Sequence, residues 1–308
     1  MNAYLAYLVF PGFLFTAAAG MLASWIDRKL TARVQWRVGP PLLQPLYDFV
    51  KLLGKETIVP KGSSKITFLL APVLGLVGVT FVSTMVWSAM LWPEGGFTGD
   101  LIVVLYFLMV PSLAVILGAF ASKNRLASLG ASREMKLMLA DELPFLLAVL
   151  VVIIQSGGSL KLGQLMTYQQ SYGMILGSVS GVLAVVVAVL TMQAKLTLVP
   201  FDIPEAETEI MGGVFVEYSG PPLAVFKLTR MMMLITMPAV LTLLFLGGVK
   251  FEGWHILWSL LKFFVLLLLI TLIRNTSPRV RIDQAVRFFW GPVTVIGIVA
   301  VVLALLGF

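Results

Sequence analysis

The sequence contains no cysteine and only one histidine, His255, in 308 residues. Without thiolates the chain can bind no cysteine-ligated zinc, iron–sulfur cluster or nickel, and it can form no disulfide. A single histidine beside Trp254, at the edge of an apolar run, is typical of a membrane interface rather than of a metal site. Any redox centre is therefore expected on other subunits.

Charged residues are also scarce. They make up 12% of the chain against 59% hydrophobic residues, and the mean hydropathy is +0.98. A soluble domain of about 300 residues buries only about 75% of the surface of its unfolded chain. It could not hide this much apolar surface, so the composition indicates an integral membrane protein.

Eight apolar runs have roughly the 20 residues that a helix needs to cross a bilayer. We predict one all-α membrane domain over residues 1–308 with eight transmembrane helices. The predicted spans cover residues 4–26, 67–92, 101–121, 135–156, 173–195, 219–249, 255–273 and 288–307. The first run has no basic start and is followed at once by Asp27-Arg28-Lys29. We therefore expect a permanent span and not a cleaved signal.

Basic residues gather in alternate loops, 27–66, 122–134, 196–218 and 274–287. These loops and the adjoining helix ends hold sixteen Lys and Arg residues, whereas the opposite side has only Lys161 and Lys250. The asymmetry predicts that the basic loops are cytoplasmic and that both termini are outside. The net charge of +7 then reflects topology, and no nucleic-acid partner is expected.

The third of these loops is acidic. Between Lys195 and Lys227 there is no cation, but there are five carboxylates: Asp202, Glu205, Glu207, Glu209 and Glu217. Carboxylates beside a bilayer must be hydrated, protonated or paired with another part of the fold, and each option suits the handling of protons or other cations. A solvated acidic loop with a helix starting at Glu205 explains the same residues.

The fourth predicted span contains an acidic pair. Its apolar run, 143–154, is too short to cross a bilayer, so the helix must begin near Met135, which draws Asp141 and Glu142 into the span. Two adjacent buried carboxylates compete for a single negative charge, and Pro144 loosens the helix beside them. The alternative is that the pair caps a helix that begins at Pro144.

Three cations also fall well inside predicted spans, away from the end residues Lys136 and Lys195. Lys227 and Arg230 lie near the cytoplasmic end of the sixth span, where their long side chains can reach the interface. Lys262 lies about eight residues, or roughly 12 Å, from the outer edge of the seventh. That depth predicts an intramembrane carboxylate partner for Lys262.

The first cytoplasmic loop contains an amphipathic segment after Gly39-Pro40-Pro41. Helical spacing over residues 42–56 places five apolar side chains on one face: Leu42, Leu46, Phe49, Val50 and Leu53. Gly54 and Pro60 limit how far the helix can continue. An interfacial helix and a docking surface for a partner both fit this pattern.

Several longer motifs carry a family resemblance. The most specific is Pro200-Phe-Asp-Ile-Pro-Glu-Ala-Glu-x-Glu209 through Glu217-Tyr218-Ser219. The others are Asp27-Arg28-Lys29 with Gln35-x-Arg37-x-Gly39-Pro40, Leu42-Leu43-Gln44-Pro45 through Lys51-Leu52 and Lys55-Glu56, Leu129-Gly130-Ala131-x-Arg133 followed by Glu142, and Lys262 followed by Arg274-x-Thr276-x-Pro278-Arg279-x-Arg281-x-Asp283-Gln284. Together they resemble the membrane subunit called subunit 1 or H of respiratory complex I. Homologues of that subunit anchor energy-converting membrane-bound nickel–iron hydrogenases and related ferredoxin-linked complexes.

Two departures from the quinone-reducing members resemble the hydrogenase branch. The first loop lacks the second Gly-Pro element of those members, and Phe226-Lys227-Leu228-Thr229-Arg230 stands where they have an acidic residue. Both argue against an open quinone chamber.

The resemblance implies a membrane anchor and coupling subunit in a prokaryotic cell membrane. It would link a ferredoxin-dependent, hydrogenase-like peripheral arm to proton or sodium translocation by antiporter-like and small membrane subunits. Iron–sulfur clusters, and in the hydrogenase branch a nickel–iron centre, would lie on partner subunits and no cofactor on this chain. The alternatives are a quinone-binding complex I subunit and a stand-alone secondary transporter. The latter predicts internal repeat symmetry, which the sequence does not show.

The resemblance also implies two sets of functional residues. The ion-coupling set is Asp141, Glu142, Asp202, Glu205, Glu207, Glu209, Glu217 and Lys262. The set that docks the peripheral arm is Arg28, Arg33, Arg37, Lys51, Lys55, Glu56, Arg133, Arg274, Arg279, Arg281 and Asp283.

Overall fold

The computed structural model describes residues 3–249 and 253–308, with the side chains of residues 3, 207 and 208 excepted. Within these residues the chain forms helices and no strand. The α-helices are α1 Ala3–Leu8, α2 Phe13–Val34, α3 Gln44–Leu53, α4 Lys65–Leu91, α5 Asp100–Ala121, α6 Arg125–Gln155, α7 Leu162–Tyr172, α8 Val179–Lys195, α9 Glu207–Ile210, α10 Gly220–Phe245, α11 His255–Thr276, α12 Ile282–Phe288 and α13 Thr294–Leu305. A π-helical turn with a kink at Gly291 joins α12 to α13.

Seven helical segments of the described chain are long and apolar enough to cross a membrane. They are α2 together with α1, then α4, α5, α6, α10, α11, and α12 continuing into α13. The predicted fifth span corresponds to α8, an apolar helix of 17 residues that follows a 3₁₀ turn at Ile175–Gly177. The prediction of a multi-pass, all-α membrane protein is confirmed, while the count of eight spans and the placement of both termini outside stay predictions.

Helix α6 is longer than the sequence predicts. It begins at Arg125 rather than near residue 135, because the Asn124 side chain caps its first turn by accepting two backbone amides. It then continues through Pro144 to Gln155. Asp141 and Glu142 therefore lie inside one continuous helix, and the alternative that they cap a helix starting at Pro144 is wrong.

The core is organised around two helices. Helix α10 is almost fully buried and packs against α2, α3 and α4, while α6 packs against α5, α8 and α13. The α2–α10 contact is close at Gly20, where an added Cβ would lie 2.5 Å from the Met231 carbonyl oxygen. Only glycine fits that crossing, so the sequence at this position sets the distance between the two helices.

Polar contacts join the loops that the sequence predicts to share one side. Asp27, buried in α2, accepts hydrogen bonds from Thr271 at 3.0 Å and Arg274 at 2.6 Å in α11. Nearby, Gln35 donates to Asn275 at 3.1 Å. We call this end of the bundle the acidic-loop end.

The other loops meet at the opposite end. There Asp100 accepts from the Leu162 amide at 2.7 Å, and Lys161 donates to the Glu94 carbonyl at 2.9 Å. The alternation of loops between two ends therefore agrees with the alternation that the basic residues predict.

The predicted amphipathic segment forms α3 at the acidic-loop end. Leu46, Val50 and Leu53 remain exposed, while Asp48 accepts hydrogen bonds at 2.8 Å from Arg28 and from Gln44. Burial alone would raise the pKa of Asp48, but these hydrogen bonds outweigh it and hold the pKa below its usual value. The attachment of α3 is thus present at neutral pH and weakens as the pH falls through that lowered pKa. As both side chains are partly exposed, the ion pair contributes little stability.

Candidate functional site

The acidic loop, residues 196–219, folds over the ends of the membrane helices in short helical turns. Its described carboxylates are paired with other elements. The pairs are Asp202 with Arg279 at 2.7 Å, Glu205 with Arg230 at 2.8 Å, Glu209 with Arg133 at 2.5 Å, and Glu217 with Asn124 at 2.5 Å. The predicted coupling side chain of Glu207 lies outside those that the structure describes. These carboxylates are therefore neither simply hydrated nor left to be protonated. Each is paired with a side chain of another part of the fold.

Arg230 is partly exposed and contacts the acidic loop. Its guanidinium pairs with Glu205, donates to the Thr197 hydroxyl at 3.2 Å and lies 4.8 Å from the centre of the Phe215 ring. The Arg230 side chain is 37% exposed while it is paired with Glu205, so its reach to the interface stays a prediction. Lys227, one turn earlier, is exposed.

A cluster of one cation and two carboxylates lies deeper in the bundle. Lys195, the last residue of α8, places its Nζ 2.5 Å from Glu142 Oε2 and 3.4 Å from Asp141 Oδ2. We call these three residues the Lys195 cluster. The side chain of Lys195 is 6% exposed, that of Glu142 16% and that of Asp141 2%. The Lys195 ammonium also lies 5.1 Å from the centre of the Phe145 ring. A single cation thus serves two buried carboxylates, so a proton gained or lost here changes how the charges pair.

A further buried carboxylate, Glu134, lies two turns before Asp141 on α6. It is 3% exposed, and its Oε2 has no hydrogen-bond partner among the described protein atoms. It lines a cavity of about 40 Å³ together with Lys195 and Arg230. The cavity therefore lies between the acidic loop and the Lys195 cluster.

Lys262 is held at the end of α10. Its Nζ donates to the carbonyls of Leu246 and, at 3.4 Å, Gly248. The C-terminal end of a helix carries partial negative charge, so these carbonyls stabilise a cation within the apolar region. The carboxylate partner that its depth predicts stays a prediction.

The predicted docking residues fall into two groups. Four are engaged within the chain: Arg28, Arg133, Arg274 and Arg279 pair with Asp48, Glu209, Asp27 and Asp202. The others are exposed and make no ion pair within the described part of the chain: Arg33, Arg37, Lys51, Lys55, Glu56, Arg281 and Asp283. The second group is the one available to a partner, and its docking role stays a prediction.

Tyr218 fixes the end of the acidic loop to the bundle. Its ring stacks on Phe68 with centroids 4.1 Å apart, and its hydroxyl donates to the Phe68 carbonyl at 3.0 Å. That carbonyl has no amide donor one turn later because residue 72 is Pro72. Burial raises the pKa of Tyr218, which keeps the hydroxyl protonated and able to donate. Gly118 leaves the space, since a Cβ there would lie 2.3 Å from the hydroxyl oxygen.

We expect Tyr218→Phe to destabilise the protein by about 1–3 kcal/mol, because the Phe68 carbonyl would be left buried without a donor. Thermal unfolding of the purified protein measures the effect. Tyr106→Phe, at a side chain that is 69% exposed, is the matched control. Equal stability of the two variants would show that the Tyr218 hydroxyl is not needed.

Comparison with known proteins places this arrangement in a family. A family model described as NADH dehydrogenase matches residues 5–305. The chain belongs to that family. Two similar proteins are the NADH-quinone oxidoreductase subunits H of Geobacillus thermodenitrificans, 35% identical over 293 residues covering 90% of this chain and 86% of the relative, and of Thermomicrobium roseum, 35% identical over 316 residues covering 92% and 90%.

This member of the NADH dehydrogenase family also resembles a chain of known structure. That structure is described as the membrane-bound sulfane sulfur reductase, an archaeal respiratory membrane complex. The two chains share 28% identity with a TM-score of 0.86, and the match covers 99% of this chain and 100% of the other. The predicted family resemblance is confirmed.

Sequence reasoning missed Glu134, Lys195 and Arg230 as site residues of this NADH dehydrogenase family chain. Lys195 looks like one more basic residue at a loop boundary, and its role depends on α8 packing against α6. The position of Glu134 inside the helix could have been predicted from the sequence. Ala127, Ala131 and Glu134 continue the buried face of α6 upstream of Asp141 at helical spacing, which places Glu134 inside the helix.

Proposed function

We propose that the chain is the membrane anchor and coupling subunit of a multi-subunit, ion-translocating oxidoreductase. The observation that carries this proposal is the Lys195 cluster, in which two carboxylates share one cation inside the bundle. The ion pairs of the acidic loop lie between this cluster and the acidic-loop end of the bundle. A charge change made by redox chemistry at that end could alter those pairs and then the pairing of Lys195. No bond-making residue is required on this chain.

The peripheral arm is proposed to be ferredoxin-dependent and hydrogenase-like. The match to a chain of the sulfane sulfur reductase complex over essentially the full length of both proteins supports an arm whose acceptor is not a quinone. The two sequence departures in the first loop and at 226–230 point the same way. Iron–sulfur clusters, and a nickel–iron centre if the acceptor is the proton, are then expected on partner subunits, with antiporter-like subunits alongside.

A quinone-binding subunit is the second candidate, supported by the names of the NADH-quinone oxidoreductase relatives. An apolar cavity of about 490 Å³ between α2, α10 and α11 is large enough for part of such a molecule. Purification of the native complex separates the candidates. A subunit with nickel-ligating cysteine pairs supports the first, and a copurifying quinone that the complex reduces supports the second.

Reconstitution of the isolated chain in liposomes tests whether it acts alone. The coupling proposal predicts no solute uptake down an imposed ion gradient, since the energy comes from redox chemistry on other subunits. Robust uptake would favour a secondary transporter.

We expect Arg37→Ala and Lys51→Ala to weaken attachment of the peripheral arm, because both side chains are exposed at the acidic-loop end. Such contacts are electrostatic and screened by salt. Salt washes of membranes measure the effect as release of soluble subunits at lower salt than in the wild type. Lys161→Ala, at the opposite end, is the control and should behave as wild type. Wild-type retention by both test variants would remove these residues from the docking surface.

A further inference from the structure

The cavity beside Glu134 has no role in the contacts described so far. It measures about 40 Å³ and is bounded by α5, α6, α8 and α10. A buried water needs roughly 10–15 Å³ of such space and two to four polar partners. The cavity therefore has room for about three waters. Its walls supply the polar partners in Ser112, Glu134, Lys195, Thr229 and Arg230.

Glu134 is a carboxylate that needs such water. The residue is only 3% exposed, and Oε2 has no hydrogen-bond partner among the described protein atoms. A buried carboxylate oxygen without a partner is costly, so an ordered water or a bound proton is the natural way to satisfy it. The residue also faces two cations across the cavity, which compensate its charge when it is ionised.

The two cations lead to different parts of the site. Arg230 pairs with Glu205 in the acidic loop, and Lys195 pairs with Asp141 and Glu142 in the Lys195 cluster. Glu134 itself lies on the same face of α6 as Asp141, seven residues and about 10.5 Å of helix rise away. That gap is too long for direct proton transfer and short enough for a few waters to bridge.

We propose that the cavity is a hydrated junction and that Glu134 is its proton carrier, linking the acidic loop to the Lys195 cluster. This proposal rests on the proposed coupling function. It adds Glu134 as a participating residue and the proton as the species that is carried. The Glu134 carboxylate takes up a proton that the cavity water relays from the protonated Glu205 carboxyl group of the acidic loop, and Glu205 becomes ionised. Glu134 then passes the proton through water to the Asp141 carboxylate, which becomes a neutral carboxyl group, while Glu134 returns to its ionised form. The species is a proton rather than Na⁺, because a proton binds covalently to the Glu134 carboxylate, whereas Na⁺ would have to remain as a free charge beside Lys195 and Arg230.

The first test uses the intact complex in membrane vesicles. We expect Glu134→Gln to lower ion uptake per electron transferred at least tenfold, while artificial-dye redox activity of the peripheral arm stays at the wild-type level. Glu94→Gln, an exposed residue at the opposite end, is the matched control. Redox-induced infrared difference spectra supply a second readout. A buried carboxyl C=O band should be present in the wild type and in Glu94→Gln and absent in Glu134→Gln.

The second test reduces the volume of the cavity without changing any charged residue. Val115 lines the cavity from α5, so Val115→Leu adds a methylene towards the water. We expect it to lower the uptake ratio several-fold, whereas Val77→Leu, at a side chain that is 56% exposed on α4, should not. This variant also answers the question if Glu134→Gln fails to assemble.

Three results would overturn the inference. They are an unchanged ratio in Glu134→Gln, an unchanged ratio in Val115→Leu, and uptake whose apparent Na⁺ affinity shifts in Glu134→Gln. The proposed function fails separately. If Glu142→Gln lowers the ratio and Glu134→Gln does not, coupling stands and only the junction is wrong. If neither variant changes the ratio, both fall.

Discussion

Lys195→Met is expected to destabilise the protein by about 3–5 kcal/mol, the usual cost of removing one partner of a buried ion pair. The substitution keeps most of the apolar side chain but leaves Asp141 and Glu142 together without their cation. The Asp141 side chain is 2% exposed and the Glu142 side chain 16%, so water cannot replace the lysine in stabilising their negative charges. Thermal inactivation of the purified complex and its resistance to dissociation measure the loss.

The matched control and a rescue identify the cause. Lys161→Met removes a lysine that donates to a backbone carbonyl at the opposite end, and we expect it to cost about 1 kcal/mol or less. The double variant Lys195→Met with Glu142→Gln returns the net charge of the cluster from −2 to the wild-type value of −1, and it should recover most of the stability. A double variant no more stable than Lys195→Met alone would show that packing of the lysine chain, and not charge, is what matters.

Glu142→Gln is expected to leave assembly intact and to lower ion uptake per electron transferred at least tenfold. Glutamine keeps the shape of the side chain and can still accept a hydrogen bond from Lys195, but it cannot take up or release a proton. Removal of a carboxylate from a cluster with two anions and one cation should therefore change function more than folding. Uptake and dye-linked redox activity are measured on the same vesicles.

The expected signature of Glu142→Gln is a split between these two activities. Redox activity should stay within about twofold of the wild type, because no redox centre is proposed on this chain. A parallel fall in both would point to a failure of assembly. Glu94→Gln again serves as the control for removing one carboxylate.

Features that depend on local composition could be predicted from the sequence. Apolar length gave the membrane class and the positions of most spans, and the short apolar run at 143–154 placed Asp141 and Glu142 inside a helix. Helical spacing predicted α3, which ends at Leu53 just before Gly54. Each of these follows from residues that are near one another in the chain.

Features that depend on packing between distant helices could not be predicted in the same way. Lys195 and Glu142 are 53 positions apart, and Arg230 and Glu205 are 25 apart. Which cation meets which carboxylate is decided by how α8 crosses α6 and how the acidic loop folds back on α10. Pro72 and Tyr218 illustrate the same limit, since a missing amide in α4 predicts that some donor is needed but not which residue supplies it.

The most direct test of the coupling proposal is ion uptake per electron transferred by the complex that carries Lys195→Met with Glu142→Gln. In this variant the cluster keeps the net charge of −1 that it has in the wild type, yet it has lost both the lysine and the adjacent carboxylate. The proposal predicts a stable complex with wild-type dye-linked redox activity and an uptake ratio at least tenfold below that of the wild type. A stable complex with an unchanged ratio would contradict the claim that this chain couples redox chemistry to ion movement through the Lys195 cluster.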